Sequence, residues 1–161
     1  GASTLPSNLQ ALDQRWEDFV ELLDVYRRRK QHLKSINRTA VHNQLSQAFR
    51  AAESSTDEKT KRVQQTNVEI LKRRVASFDE IERSVKLVEG QLQSIENFFS
   101  YLNDEIVTIS TPEKFSLLDF EQLYDSIAMT KQMLDATADE VGALDMYNRE
   151  MGNLELLPGA K

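Results

Sequence analysis

Few side chains in this sequence have the types and spacing that catalysis requires. The two histidines, His32 and His42, are ten residues apart, which places them about 280° apart around a helix. Neither follows a glutamate three residues earlier, so the Glu-x-x-His pattern of di-iron bundles is absent. The chain has no cysteine and no Gly-rich phosphate-binding loop. The sequence therefore predicts no enzyme, no cofactor or metal site and no small-molecule substrate.

A basic run, Arg27-Arg28-Arg29-Lys30, has the charge to contact phosphate or acidic lipid. Consecutive helical residues point about 100° apart, however, so four in a row surround a helix instead of forming one basic face. The formal net charge is −6, and the acidic excess lies in residues 113–161. We therefore predict no nucleic-acid partner, and contact with a membrane only through segments outside this chain.

The largest element that the sequence predicts is a long helix over Asp57–Thr108. From Phe78 onward, its apolar residues recur at alternating steps of three and four, the spacing of a seam that faces partner helices. A helix of this length would span roughly 75 Å. Gly90 interrupts it and would allow a bend or a close approach. The seam consists of Phe78, Ile81, Val85, Val88, Leu92, Ile95, Phe99, Leu102 and Ile106.

Two further helical stretches flank the long helix. The first begins at a capping box formed by Ser7 and Gln10. It breaks or kinks at residues 35–39, where Asn37 or Thr39 could cap a fresh start, and then continues to about residue 53. A polar turn with Thr56 as N-cap leads into the long helix. The last helix is predicted over residues 117–150. On the first stretch, the predicted seam is Leu9, Leu12, Trp16, Phe19, Leu23, Tyr26, Lys30 and Leu33.

These helices predict an all-α fold. Because short connections make consecutive helices antiparallel, we expect an elongated three-helix bundle or coiled coil in up-down-up order. Residues 39–72 would project from it as a helical hairpin, unless the break near residues 35–39 lets a short fourth helix fold back. The predicted domain layout is a flexible lead-in over residues 1–6, one bundle domain over residues 7–152 and a C-terminal tail over residues 153–161.

Two sets of residues are candidates for contact with other proteins. Leu45, Phe49 and Val63 lie at the thinly apolar hairpin end and form the predicted partner-binding or self-association surface. Lys30 occupies a slot of the predicted seam, close to Glu82 or Asp79 in the expected pairing. A pair between Lys30 and Glu82 or Asp79 would fix the register of the two helices.

Two local resemblances bear on the fold. Arg15-Trp16-Glu17-Asp18-Phe19, followed by Arg27 and Leu33, resembles the last helix of a spectrin repeat. That resemblance implies a three-helix order, but these helices are far longer than the family's, so we do not assign the chain to it. The stretch 87–110, with the proline and acidic helix that follow, is similar to uncharacterised bacterial coiled-coil proteins that carry membrane helices elsewhere. This second resemblance implies that the full-length protein is tethered near a membrane.

The sequence predicts a non-enzymatic scaffold or oligomerisation module that contacts a protein partner or a second copy of itself. Gly1-Ala2-Ser3 lacks an initiator Met, so we expect a fragment of a larger protein. One alternative is the ligand-sensing helical bundle of a membrane receptor, which would need a polar-lined pocket. Another is a membrane-curving or tethering module, which would need a continuous basic face. The compartment stays open, with the cytoplasm favoured.

Overall fold

The computed structural model describes the backbone of residues 4–108 and 117–139, and this part of the chain is all-α. It contains four helices and no strand within those ranges. The predicted all-α class is confirmed. The helices are α1 (Thr4–Lys34), α2 (Arg38–Ser54), α3 (Glu58–Thr108) and α4 (Leu117–Ala136).

The predicted break between the first two helices is confirmed at residues 35–37. Asn37 is the N-cap of α2, and its side-chain oxygen accepts a hydrogen bond from the backbone N–H of Ala40 at 3.1 Å. Ile36, between the two helices, is buried with Val41 and Ile81. Because an apolar side chain anchors it, the break is a packed feature of the fold, and α2 is a helix separate from α1.

The predicted turn after α2 is also present, but its capping residue differs. Asp57, not Thr56, caps α3, because its carboxylate accepts hydrogen bonds from both the backbone N–H and the hydroxyl of Thr60. The hydrogen bond from the backbone N–H of Thr60 is the main cause that lowers the pKa of Asp57. A carboxylate suits this position because the N-terminus of a helix carries partial positive charge.

The chain divides into two compact units. Unit 1 consists of residues 1–28 and 84–136, and unit 2 of residues 29–83 and 137–161. Their buried apolar cores are separate sets of side chains. The core of unit 2 contains Ile36, Val41 and Ile81. The core of unit 1 contains Leu22, Val88, Leu92, Ile95, Leu123, Ile127 and Leu134.

The predicted seam of α3 is the side of the helix that the fold buries. Ile81, Val88 and Ile95 have no exposed surface, and the other members with described side chains are buried or half-buried. Gly90 lies on the exposed side, and a Cβ added there would meet no atom within 4 Å. The expectation that Gly90 permits a close approach is therefore wrong.

Replacing Gly90 with Ala should raise the free energy of unfolding by about 1 kcal/mol, since Gly in a helix interior is less favourable than Ala by that amount. For a chain of this length the gain corresponds to roughly 2–4 °C in Tm. Ala76 is an exposed alanine on the same helix, so Ala76→Gly is the matched control and should lower stability by a similar amount. Calorimetry on both variants measures the effect, and a destabilised Gly90→Ala variant would contradict it.

The buried side of α1 is displaced by one residue from the predicted seam. Arg15, Asp18, Leu22 and Arg29 are buried, whereas Leu9, Trp16 and Lys30 are exposed. The other members of the predicted seam are half-buried: Leu12, Phe19, Leu23, Tyr26 and Leu33. The fold therefore buries charged side chains on α1 and leaves large apolar ones in water, the reverse of the usual preference.

Several predicted boundaries fall near or beyond the described residues. α1 begins at Thr4, so helix covers the end of the predicted lead-in, 1–6, and starts before the capping box at Ser7. The prediction of one continuous helix over residues 117–150 is wrong, because α4 ends at Ala136 and Thr137 forms a turn. The link over residues 109–116 and the predicted end at residue 150 lie outside the described residues. So does the predicted tail, 153–161. The division into a lead-in, a domain over residues 7–152 and a tail stays a prediction.

Candidate interaction surfaces

A network of charged side chains joins α1 and α4 inside unit 1. Asp18 has 5% of its side chain exposed, and both of its carboxylate oxygens accept hydrogen bonds. Arg15 Nε donates to one oxygen at 2.8 Å, and Lys131 Nζ donates to the other at 2.7 Å. Lys131 also pairs with Glu21 at 3.0 Å. The four formal charges balance, which is the condition under which buried ions are tolerated.

An aromatic ring completes the network. The Arg15 guanidinium carbon lies 4.9 Å from the centre of the Tyr124 ring on α4, within the range of a cation–π interaction. Since both oxygens of Asp18 already accept from cations, neither is poised as a general base for a substrate. The arrangement holds α1 against α4, so we interpret it as structural.

Two opposing effects within this network act on the pKa of Lys131. Partial burial acts to lower its pKa, but the hydrogen bonds and charges of Asp18 and Glu21 outweigh burial and raise the pKa above 10.5. A raised pKa in the folded state means that the protonated lysine stabilises the fold. That contribution is fully present below the unfolded-state pKa of 10.5 and is lost as pH rises through the folded-state pKa.

The stability that Lys131 confers should therefore disappear at alkaline pH. We expect wild type to be more stable than Lys131→Met at about pH 9, with the difference shrinking as the pH rises above 10.5. Urea unfolding of both proteins across this range isolates the contribution of Lys131, since every other titrating group is shared. A difference that stays constant with pH would show that the ammonium charge is not what stabilises the contact.

A second polar contact joins α3 and α4 within unit 1. Gln91 is buried, and its side-chain oxygen accepts hydrogen bonds at 2.9 Å from the hydroxyls of Ser126 and Thr130. Gln91 Nε2 has no hydrogen-bond partner among the described residues. Gln91 thus fixes where α4 lies along α3 at the cost of one unsatisfied donor, because a hydroxyl pair at this spacing fits only one position on the facing helix.

In unit 2, a basic residue at the start of α2 contacts two acidic residues of α3. Arg38 Nη1 donates to Glu82 at 2.8 Å, and Nη2 donates to Asp79. The guanidinium also lies over the Phe78 ring, 5.3 Å from its centre. Carboxylates three residues apart share one helix face, so they can bind a guanidinium together.

Arg38 binds both acidic residues that the sequence predicted as partners of Lys30, Asp79 and Glu82. Glu82 is bound by Arg38, and Lys30 is exposed, although the predicted seam had placed Lys30 facing a partner helix. Pairing of Lys30 with Glu82 stays a prediction. Within the basic run of residues 27–30, the residue that is buried is Arg29. Its Nη1 donates to the Thr137 hydroxyl at 2.5 Å.

The described residues define neither a metal site nor a membrane span. Within residues 4–108 and 117–139, no three His, Asp or Glu side chains are grouped so that they could hold a metal ion. No helix in the same ranges is both long enough and apolar enough to cross a bilayer.

Comparisons of the chain with known protein families, with characterised proteins and with solved structures found no match. What the surfaces of this protein can do is therefore inferred from their own residues.

The predicted partner surface lies on the α2–α3 pair of unit 2. Leu45 is half-buried, while Phe49 and Val63 have 47% and 59% of their surface exposed. Phe49 lines a groove of about 490 Å³ between the two helices, together with apolar Ala52 and Val68 and with charged side chains. Val63 does not line that groove. The three residues thus stay candidates, but only Phe49 contributes to the concave surface.

A second exposed apolar surface is one that sequence reasoning missed. Leu9, Trp16 and Val20 are 56%, 57% and 52% exposed, and their spacing of seven and four residues places them along one side of α1. We call these three residues the α1 stripe. Leu9 and Trp16 had been assigned to the core. The signal that could have revealed it is a second set of residues at helical spacing: Arg15, Asp18, Leu22 and Arg29. Its charged side chains require partners within the fold, so this side of α1 can be buried in place of the predicted seam.

Proposed function

We propose that this chain is a non-enzymatic helical module that joins protein chains, as a scaffold or oligomerisation element. The α1 stripe carries the proposal: three large apolar side chains share one exposed side of a helix. Exposed apolar residues are common singly, but a row of them on one face is typical of a surface that another protein covers. The charges that the described chain buries contact one another or hydroxyl groups, which supports a structural role.

We propose an elongated antiparallel three-helix bundle with a projecting α2–α3 hairpin. It is supported in unit 1 by the contact of Phe98 with Phe120 and by that of Gln91 with Thr130, which together make α3 and α4 antiparallel. Small-angle X-ray scattering tests it. A maximum dimension near the roughly 75 Å length of α3 is expected, and a compact globular profile would contradict it.

Sedimentation of the wild-type chain tests the proposed function, with a second copy as the probe. We expect the weight-average mass to rise from monomer toward a discrete oligomer between about 1 µM and about 500 µM, a range that covers modest helix-mediated affinities. Far-UV circular dichroism at both ends of the range controls for folding. A mass that stays monomeric throughout would remove self-association from the proposal.

One observation favours the ligand-sensing alternative. The α2–α3 groove is lined by Lys61, Lys72, Glu53 and Glu69 as well as by Phe49, so it presents charges of both signs around apolar surface. That combination fits a zwitterionic small molecule such as a free amino acid. Thermal denaturation with a panel of free amino acids tests it. A rise in Tm that is lost in Lys61→Met and Lys72→Met would support sensing, and an unchanged Tm across the panel would exclude this ligand class.

A further inference from the structure

The α1 stripe is bordered by opposite charges at equal distances. Asp13 lies seven residues before Val20, and Arg27 lies seven residues after it. Both are exposed, and seven residues is close to two helical turns, so both lie near the same side of α1 as Val20. Trp16 is held in place between them, because it stacks on Phe19 at 5.6 Å and meets the edge of Phe99 at 6.2 Å.

We infer that a second copy of this chain docks on the α1 stripe, with the two α1 helices antiparallel and a two-fold axis close to Val20. This inference rests on the proposed function and names the partner. In a two-fold interface each surface patch faces itself, so the patch must be complementary to its own inverted image. With Val20 on the axis, Asp13 of each copy lies opposite Arg27 of the other.

The charge pattern of the exposed side of α1 supports the antiparallel direction. Exposed acidic residues lie before the axis and exposed basic residues after it: Asp13 and Glu17 precede Val20, and Arg27 and Arg28 follow it. Antiparallel pairing brings the acidic part of one helix toward the basic part of the other. Parallel pairing would place Asp13 beside Asp13 and Arg27 beside Arg27, and like charges across an interface disfavour it.

The apolar contact follows from the same geometry. Val20 meets its own counterpart on the axis, and each Trp16 reaches the surface beside the other copy's Val20 and Leu23. Residues 9–27 span about 27 Å of helix, long enough for several turns of interlocking side chains. Because the stripe lies on the exposed side of α1, the docked copy would leave the Asp18 network in place.

Disulfide formation tests the position of the axis. The sequence contains no cysteine, so a single Val20→Cys substitution introduces the only thiol. On a two-fold axis the two thiols meet at the short separation that a disulfide requires, with Cα atoms within about 7 Å. We expect covalent dimer on mild oxidation of dilute protein. Met129→Cys is the control, since Met129 is 71% exposed on α4 of the same unit and is not part of the stripe.

Charge reversal tests the antiparallel pairing. Asp13→Arg and Arg27→Asp should each weaken dimerisation about tenfold or more in sedimentation equilibrium, because each change places like charges opposite one another twice per dimer. The double variant should recover most of the wild-type affinity. Asp125→Arg, an exposed reversal on α4, is the matched control and should leave dimerisation unchanged.

The outcomes separate this inference from the proposed function. Rapid crosslinking at Val20→Cys together with recovery in the double variant would establish the two-fold α1 contact. If wild type self-associates but the single reversals have no effect and Val20→Cys crosslinks no faster than Met129→Cys, the inference is wrong and the proposed function stands. If wild type remains monomeric at all concentrations, self-association and this inference both fail.

Discussion

Replacing Asp18 with Asn should lower the free energy of unfolding by about 3–5 kcal/mol, the typical cost of removing one partner from a buried ion pair. Asp18 accepts from both Arg15 and Lys131, and the side chains of Arg15 and Asp18 are 6% and 5% exposed. Asn offers one acceptor oxygen in place of two. Its amide group would also point a donor at a cation that donates, leaving the Arg15 charge buried without its carboxylate.

Asp24→Asn is the matched control, since Asp24 lies on the same helix and pairs with Arg28 while both side chains are 67% exposed. Exposed pairs of this kind contribute about 0–1 kcal/mol, so the control should remain close to wild type. Urea unfolding of both variants gives the comparison. Equal losses from the two substitutions would show that burial does not strengthen the Asp18 contacts, and the network would then not hold α1 to α4.

Replacing Ile95 with Ala should cost about 2–5 kcal/mol. Ile95 has no exposed surface and belongs to the core of unit 1 with Leu22, Val88 and Leu123. Removing its methyl and methylene groups loses the free energy of burying them and leaves a cavity that neighbouring side chains fill only in part. Equilibrium unfolding in urea measures the loss as a lower transition midpoint with a similar slope.

Ile70→Ala is the matched control for this change. Ile70 is on the same helix but 53% exposed, so the same chemical substitution should change stability by only about 0.5 kcal/mol. Ala is also the better helix former, which opposes any small loss at Ile70. A cost at Ile70 as large as the cost at Ile95 would indicate that Ile70 is covered in solution, and would point to an interface on that side of α3.

The helices themselves were predictable because their signals are local. Asn37 caps α2 through its own side chain, and the apolar seam of α3 depends only on a spacing that the sequence displays. The capping residue of α3 was missed by one position. Thr56 and Asp57 both suit a cap, and what decides between them is which side chain can accept both hydrogen bonds from Thr60.

The candidate surfaces were predictable only in part. Phe49 and Val63 are exposed, as a thinly apolar hairpin suggested, but only Phe49 lines the groove between α2 and α3. The α1 stripe was not anticipated. Its residues are apolar and regularly spaced, and from the sequence alone such spacing is typical of a core.

By itself, the sequence determined the all-α class, a break within residues 35–39 and the side of α3 that is buried, because each depends on hydrogen bonds or periodicity within one stretch of chain. Only the tertiary structure decided which side of α1 faces inward. Asp18 can be buried because Lys131, more than one hundred residues away, supplies a counter-charge from α4. That contact turns Trp16 and Val20 toward solvent, and no local pattern on α1 contains it.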